Sequence, residues 1–352
     1  GYTDIAVACY ASKEIVVYFG DGVGLVGPYI HPAGDNLLGI LVEDMNGDGD
    51  AEIVVTTVFE KAVCMYDYVD GTLSTVWKGS SDGVGKDLTS LDINGDGLMD
   101  FAMVTGGTNL LVVYQNLGND FTVAYSASVP DAPYSVTSGD IDGDGYEDIV
   151  LCSYPADEVS IFFGTGTGYI MHSIVLDGGV KAVALGDMDN DGLQDIIVAL
   201  SLEANVSILR NTDNRTFVQD AEYSVGLSPY SVIVSHLNED SGLDIVTANF
   251  DSGTVSVLLT GEELPDVSQD PCMLIFRISG RPGMQYIFST PDTLMEHVHG
   301  EGIEYVFFNF TASGTTEVSI NITATFIAGH NFIKIYDTEG YIGMMHIFKV
   351  HQ

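Results

Sequence analysis

The sequence is organised by one short acidic motif that recurs at an almost constant interval. The clearest copy is DIDGDGYED, from Asp140 to Asp148, with acidic residues at positions one, three, five and nine and glycine at position six. Three further copies and one degenerate copy, HLNEDSGLD, begin at Asp44, Asp92, Asp187 and His236. The starts lie 48, 48, 47 and 49 residues apart. A period of this size predicts stacked or radially arranged repeats.

Each repeat reads as four short β-strands. In the repeat from about residue 133 to 180, PYSVTSGDI leads into the acidic loop and DIVLCSY leaves it. EVSIFFG then forms a third strand, and YIMHSIVLD closes the unit. The GTGTG between them lacks the lysine and helix of a phosphate-binding loop, so it is predicted to be a turn. Four strands in this length suit a β-propeller blade.

An acid at the ninth position of the motif occurs six times, at Asp4, Glu52, Asp100, Asp148, Asp195 and Asp244. We therefore predict an all-β fold in which residues 1–262 form a propeller of six to seven four-stranded blades. The chain opens inside the motif, so we expect a mature or truncated fragment with an incomplete first blade. Its missing strand is expected from upstream residues, from the C-terminal tail or from another chain.

The repeat stops near residue 262, and EELPD then suggests a linker over residues 263–270. Residues 271–352 contain six β-type runs, such as EYVFFNFTAS and TEVSINITATFIAG. Six strands in about 80 residues predict a small β-sandwich-like domain, which is incomplete if the chain continues.

The charge balance restricts the partners. The chain has 50 acidic and 11 basic residues, a formal net charge of −39. A phosphate backbone requires a basic surface, so nucleic acid is excluded as a partner. No apolar run is long enough to predict a membrane span. Residues 1–262 hold 40 acids and 7 bases, and self-repulsion on this scale favours bound cations.

The acidic motif is not an EF-hand, because that loop needs glutamate at position twelve, where this chain has Val55, Met103, Leu151 and Val198. It resembles instead the calcium loops of FG-GAP/VCBS-type repeats, the blades of integrin α-subunit propellers and of many secreted propellers. The DxDxDGxxD loops, the DIV-type strands after them, and VSIFFGTGTG and VSVLLTG carry the resemblance over residues 1–262.

The resemblance implies about four structural Ca²⁺ sites, with side-chain oxygens at positions one, three, five and nine and a main-chain carbonyl at position seven. The implied side-chain ligands are Asp44, Asn46, Asp48, Glu52, Asp92, Asn94, Asp96, Asp100, Asp140, Asp142, Asp144, Asp148, Asp187, Asp189, Asp191 and Asp195. The implied carbonyl ligands are Asp50, Leu98, Tyr146 and Leu193. Glu52 is longer than aspartate, which predicts a looser site, and His236 and Ser241 break the fifth loop.

The alternative to metal binding is a set of plain acidic turns, because Asp, Asn and Gly are common turn formers. Carboxylates this close repel each other by roughly a few kcal/mol per pair at an effective dielectric near 20. Repeating that cost in successive blades favours the metal interpretation.

Several other residues are candidates for a functional role. Four cysteines, which allow three disulfide pairings, are expected as free thiols in strands: Cys9, Cys64, Cys152 and Cys272. His297 and His299 beside acids suggest either a solvated loop or a transition-metal site. N-x-S/T glycosylation sequons begin at Asn205, Asn214, Asn309 and Asn321. Aromatic residues near blade turns suit either packing or sugar stacking: Tyr134, Tyr169 and Tyr230.

We expect a secreted or cell-surface glycoprotein that acts in adhesion or as an extracellular scaffold, binds a protein or glycan ligand, and self-assembles into a homo-oligomer or filament. A carbohydrate-binding, lectin-like propeller is the alternative. A polysaccharide lyase or phospholipase-like enzyme is a third, disfavoured by the seven basic residues of the propeller and by the absence of a GxSxG motif. Ligand, blade count, disulfide pairing and oligomeric state stay open.

Overall fold

The computed structural model describes residues 4–260 apart from 70, 119, 214 and 239–241, together with eight strands between residues 273 and 346. Every regular element among the described residues is a β-strand. Strands β1 to β22 form the propeller, and β23 to β30 lie in the C-terminal tail.

The first three sheets, which we call blades 1 to 3, contain eleven strands in chain order. Blade 1 comprises β1 (Ile5–Cys9), β2 (Glu14–Gly20) and β3 (Leu25–Pro32). Blade 2 comprises β4 (Leu37–Glu43), β5 (Glu52–Thr57), β6 (Ala62–Val69) and β7 (Thr72–Ser80). Blade 3 comprises β8 (Val84–Leu91), β9 (Asp100–Gly106), β10 (Leu110–Asn116) and β11 (Phe121–Ser128).

Blades 4 to 6 repeat the arrangement. Blade 4 comprises β12 (Pro133–Gly139), β13 (Asp148–Ser153), β14 (Glu158–Gly164) and β15 (Tyr169–Val175). Blade 5 comprises β16 (Val180–Gly186), β17 (Asp195–Leu200), β18 (Asn205–Asp213) and β19 (Thr216–Ser224). Blade 6 contains β20 (Pro229–Ser235), β21 (Asp244–Asn249) and β22 (Thr254–Leu258).

The predicted all-β propeller is confirmed, and the blade count is six. Each complete blade is an antiparallel meander in which every strand pairs with the next one in sequence. In blade 4, for example, Ile149 is opposite Ser138 on one side and Phe162 on the other. Each acidic motif falls between the first and second strands of its blade.

The core lies between neighbouring blades rather than within one sheet. The second strands β5, β13 and β17 are buried along their whole length, and β9 is buried except at its last residue, because both faces of a strand inside a propeller are covered. One apolar cluster joins blades 3 and 4 through Val104, Val113 and Leu151. The outer strands, such as β7 and β11, alternate between half-buried and exposed residues, as expected for one solvated face.

The chain forms two compact units. The first comprises Gly1–Leu185, Gly192–Glu203 and Ser207–Ala221, and it holds the four apolar clusters described between neighbouring blades. The second comprises Gly186–Asp191, Ala204–Val206 and Glu222–Gln352. It contains the three strands of blade 6 in the order β20–β21–β22.

The C-terminal tail contributes the last eight strands, seven of which overlap the six β-type runs of the sequence, whereas Val298–His299 lies outside them. The eight strands are β23 (Met273–Phe276), β24 (Gln285–Ser289), β25 (Val298–His299), β26 (Val306–Asn309), β27 (Glu317–Asn321), β28 (Ala324–Ile327), β29 (His330–Tyr336) and β30 (Ile342–His346). The predicted linker at 263–270 lies outside the described residues, and the β-sandwich-like domain stays a prediction.

Candidate metal sites: the acidic loops between the first and second strands

The acidic loop of blade 4 is shaped by its own backbone amides. The amide of Asp144 donates to Oδ1 of Asp140 and to Oδ1 of Asp142, at 3.1 Å in both cases. The amide of Gly145 donates to the other oxygen of Asp140 at 3.0 Å. The amide of Tyr146 donates to Oδ1 of Asp144 at 3.0 Å. Short polar side chains that accept nearby amides favour such a turn, and Gly145 supplies the required positive φ of 88°.

The other acidic loops use their first-position aspartate in the same way. In blade 2 the two oxygens of Asp44 accept the amides of Gly47 and Gly49 at 2.7 and 2.9 Å. In blade 3 Asp92 accepts the equivalent amides at 2.8 and 2.9 Å. In blade 5 Oδ1 of Asp187 accepts the amide of the fifth-position residue at 3.0 Å. The alternating acids therefore define the loop conformation.

The ninth-position acid joins its loop to the end of the third strand. In blade 4 Asp148 is fully buried. Its Oδ2 accepts the amide of Ile141 at 2.9 Å, and its Oδ1 accepts the amide of Gly164 at 2.7 Å. In blade 3 Asp100 accepts the equivalent amides at 2.9 and 2.6 Å. We call this pair of hydrogen bonds the carboxylate tether.

The carboxylate tether also occurs in blade 6, where the rest of the motif is degenerate. Asp244 accepts the amides of Leu237 and Thr260 at 2.9 and 2.8 Å. In blade 1 Asp4 accepts the amide of Gly20 at 2.8 Å. The acid and the strand-end donor are 16 residues apart in each of these blades. The ninth acid was predicted only as a metal ligand, and the constant separation of 16 residues is the sequence signal for this second role.

Glu52 in blade 2 has a longer side chain than the aspartates at the ninth position of the other motifs, and its second oxygen has a different partner. Its Oε2 accepts the amide of Met45 at 2.8 Å, and its Oε1 accepts Nδ2 of Asn46 at 2.6 Å. The additional methylene thus directs one oxygen to the third-position side chain of the same loop.

Two buried asparagines connect an acidic loop to the following blade. Asn116 at the end of β10 donates through Nδ2 to the carbonyl of Met45 at 2.6 Å and to that of Met99 at 3.0 Å. Asn211 in β18 donates to the carbonyl of Ile141 at 3.0 Å. Both asparagines lie 16 residues after a ninth-position acid. No local sequence pattern marks these two asparagines, because a single asparagine at a strand end is common.

Two loops bring three carboxylates together. One oxygen from each member lies within 4.8 Å of the others in the groups Asp140, Asp142 and Asp148, and Asp187, Asp189 and Asp195. Blades 2 and 3 carry asparagine at the third position, and its carbonyl oxygen is also a hard donor. An all-oxygen donor set fits a hard cation such as Ca²⁺. The carbonyl ligands inferred from resemblance stay a prediction: Asp50, Leu98, Tyr146 and Leu193.

The negatively charged carboxylates of the blade 4 loop repel each other, and this repulsion affects the pKa of the buried Asp148. Burial, the largest influence, raises the pKa of Asp148, the two tether amides lower it, and the nearby carboxylates of Asp142 and Asp144 raise it, so that it lies at about 6. The loop therefore concentrates negative charge around a buried carboxyl group. A bound divalent cation would favour the ionised form of that group.

The free-thiol prediction is confirmed for three of the four cysteines. Cys64 and Cys152 are buried and Cys9 is half-buried, and all three are unpaired; Cys272 lies outside the described residues. Burial raises the pKa of the Cys152 thiol to about 12. The GTGTG segment is a turn, closed by the amide of Thr165 donating to the carbonyl of Gly168 at 3.0 Å.

The aromatic candidates have protein partners. The ring of Tyr169 lies 4.9 Å from that of Tyr125, measured between centroids. Lys181 Nζ lies 3.7 Å from the ring centroid of Tyr134. The ring of Tyr230 lies 4.9 Å from that of Phe250. These contacts agree with the packing interpretation.

Among the sequons, Asn205 is half-buried at the start of β18, and its Nδ2 donates to Glu222 at 3.4 Å. The remaining candidates have side chains outside the described residues: Asn214, Asn309, Asn321, His297 and His299. Their predictions are untested.

The repeats match a known family model. Residues 1–55, 92–151 and 140–198 match the FG-GAP-like repeat. These ranges include strands and acidic loops of blades 1 to 5. The chain therefore carries FG-GAP-like repeats, which fold as a six-bladed β-propeller.

Similar solved structures share the fold at low sequence identity. A chain of a nidogen/laminin complex is 10% identical with a TM-score of 0.50, over 72% of this chain and 88% of that chain. A protein from Lactobacillus plantarum is 12% identical with a TM-score of 0.52, over 73% and 81%. A chain from the complex of BBS1N with ARL6DN is 10% identical with a TM-score of 0.52, over 92% and 90%.

The search of curated proteins gives no significant match. Within the part of the chain that the structure describes, a helix able to cross a bilayer is not found.

Proposed function

We propose that this chain is a secreted, calcium-stabilised β-propeller that serves adhesion or extracellular structure and has no catalytic activity. The observation that carries the proposal is the repeated acidic loop, which presents clustered oxygen donors at the same turn of successive blades. Extracellular fluid supplies Ca²⁺ at a concentration that weak sites of this kind can use.

The calcium sites have a structural role in this proposal. Each acidic loop lies beside a carboxylate tether, so an ion there would reinforce the connection between the first three strands of a blade. The ion would also offset part of the formal charge of −39, which otherwise opposes the compact state.

Exposed apolar side chains support a binding role. In the first unit, the turn between the second and third strands carries Phe59 in blade 2 and Leu202 in blade 5, and the turn between β1 and β2 of blade 1 carries Tyr10. Phe59 and Leu202 are 73% and 69% exposed, and Tyr10 is 49% exposed. Large exposed apolar residues are a feature of protein interaction surfaces. We therefore propose these turns as part of the surface that binds a protein or glycan at the cell surface or in the matrix.

An attachment assay tests the proposal. Surfaces coated with the purified chain are expected to retain cells or matrix proteins in millimolar calcium and to lose them in excess chelator. Phe59→Ser is expected to reduce attachment, whereas Val76→Ser, at an exposed position of the outer strand β7, serves as the matched control. Retention no greater than on an albumin-coated surface would overturn the adhesion proposal.

A further inference from the structure

Arg215 in blade 5 reaches the acidic loop of blade 4. Its Nε donates to Oδ2 of Asp142 at 2.5 Å, and its Nη2 lies 2.5 Å from the same oxygen. Nη2 is also 3.4 Å from Oδ2 of Asp144. The Asp142 side chain is only 3% exposed, so this ion pair is shielded from solvent on one side. The predicted third-position metal ligand therefore already has a cationic partner.

The guanidinium group is held in place by an aromatic ring as well. Its Cζ lies 4.7 Å from the centroid of Phe163, in the third strand of blade 4. A guanidinium over a ring face gains a cation–π interaction. Residues 1–262 contain only seven basic residues, and Arg215 is one of them. Few other positive charges are therefore present in the propeller to balance the acidic loops.

The acidic loop of blade 4 differs from those of blades 2 and 3 in the residue at the third position of the motif. In blades 2 and 3 the residue is asparagine, and its own amide group donates to an acid of the same loop. Asn46 donates to Glu52 at 2.6 Å, and Asn94 donates to Asp96 at 2.9 Å. Asp142 has no such donor and adds a negative charge. Arg215 supplies both the donor and the balancing charge from the neighbouring blade.

We propose that Arg215 is a built-in counter-ion that lowers the calcium affinity of the blade 4 loop and holds that loop in place without a metal. This inference rests on the proposed calcium binding of the acidic loops. An arginine stays protonated at all physiological pH values, so it competes permanently with a cation for the charge of Asp142. It also engages Oδ2 of Asp142, while Oδ1 accepts the amide of Asp144.

Terbium luminescence measures this site selectively. Tyr146, at the seventh position of the blade 4 loop, can sensitise a Tb³⁺ ion bound there, whereas the equivalent residues in the other three acidic loops are Asp50, Leu98 and Leu193. Tb³⁺ is titrated into chelator-cleared protein, and Ca²⁺ is then used to displace it. The displacement midpoint reports the calcium affinity of the blade 4 loop.

Arg215→Gln is expected to raise that calcium affinity roughly three- to tenfold, because a positive charge is removed a few ångströms from the ion. The same variant should melt at a lower temperature than wild type in excess chelator, since the ion pair between blades is lost. Arg215→Lys retains the charge and should keep the affinity near that of wild type. Arg210→Gln, which breaks the ion pair with Asp220, is the matched control.

Unchanged or weaker calcium binding in Arg215→Gln, together with an unchanged melting temperature in chelator, would overturn the role of Arg215. A wild-type chain whose tyrosine-sensitised signal and calcium content both stay at background would instead overturn the proposed calcium sites, and the counter-ion role with them. The two failures are therefore distinguishable.

Discussion

The acidic loops of blades 4 and 6 share the aspartate at the ninth position of the motif and differ in the residues that precede it. Both end in an aspartate that forms the carboxylate tether, and backbone amides donate to Asp148 at 2.7 to 2.9 Å and to Asp244 at 2.8 to 2.9 Å. The blade 4 loop begins with three alternating aspartates, whereas the blade 6 loop begins with His236. His236 uses Nδ1 to contact the carbonyl of Gly242 at 2.8 Å.

The comparison separates two roles that the sequence motif combines. The ninth acid connects the loop to the third strand, and this connection persists where the alternating aspartates are lost. The first, third and fifth positions supply the oxygen donors for a cation and fold the loop around them. A blade can therefore keep its tether after the other positions of its acidic motif have changed, and blade 6 shows such a case.

Removal of the tether is expected to have the largest effect. Asp148→Ala leaves two buried amides without an acceptor, which costs about 2–4 kcal/mol of unfolding free energy in excess chelator. Asp244→Ala leaves two partly buried amides without an acceptor and is expected to cost less. Added calcium should increase the difference in unfolding free energy between Asp148→Ala and wild type. It should leave the corresponding difference for Asp244→Ala unchanged. Thermal or urea unfolding followed by the single tryptophan, Trp77, which packs against Phe121, measures both. If Asp244→Ala unfolds with the same free energy as wild type, the tether does not stabilise blade 6 and the proposed shared role of the ninth acid is wrong.

Removal of a predicted ligand that takes no part in the tether should act mainly on the calcium-bound protein. In excess chelator, Asp144→Ala is expected to destabilise the protein less than Asp148→Ala, since it loses the hydrogen bond from the amide of Tyr146 and the 3.4 Å contact with Arg215. At a calcium concentration 100 times the Kd of the site, it should forfeit about 2.7 kcal/mol of the calcium-induced stabilisation. The matched control is Asp240→Ala, at the fifth position of the blade 6 loop, outside the described residues. Equal calcium-induced shifts in Asp144→Ala and wild type would count against a metal role for that position.

The smallest expected effect is a pH dependence of the metal-free protein. The pKa of Asp148 is raised from 3.8 to about 6, so the folded state holds this proton more tightly than the unfolded state. The resulting stability is present below pH 4 and is lost as pH rises through 6, with a loss of about 1 kcal/mol between pH 5 and 7.

Melting curves in chelator at pH 5 and pH 7 test this expectation. Asp148→Asn should flatten the change between the two pH values, whereas Asp144→Asn should preserve it. An identical pH dependence in wild type and Asp148→Asn would assign the effect to other groups.

The sequence predicted the propeller because its signals are periodic. The constant spacing of the acidic motifs and six ninth-position acids, from Asp4 to Asp244, indicated the blades directly, and the structure narrows six to seven blades to six. Strands such as EIVVYFG and DIVLCS were recognisable because burial between blades selects continuous apolar runs.

The site was predicted less completely than the fold. The sequence identified the acids but not the amides that approach them from other strands, because those contacts depend on strand register. The tether of Asp148 to Gly164 and the link from Asn116 to Met45 are contacts of this kind. Arg215 was missed because it contacts Asp142, 73 residues away in sequence, and no local pattern marks such a pair.

Calcium stoichiometry tests the central claim most directly. Native mass spectrometry of chelator-cleared chain, recharged with calcium, is predicted to show occupancy of about four ions, with one fewer in Asp144→Ala. A wild-type mass that is the same with and without calcium would contradict the account.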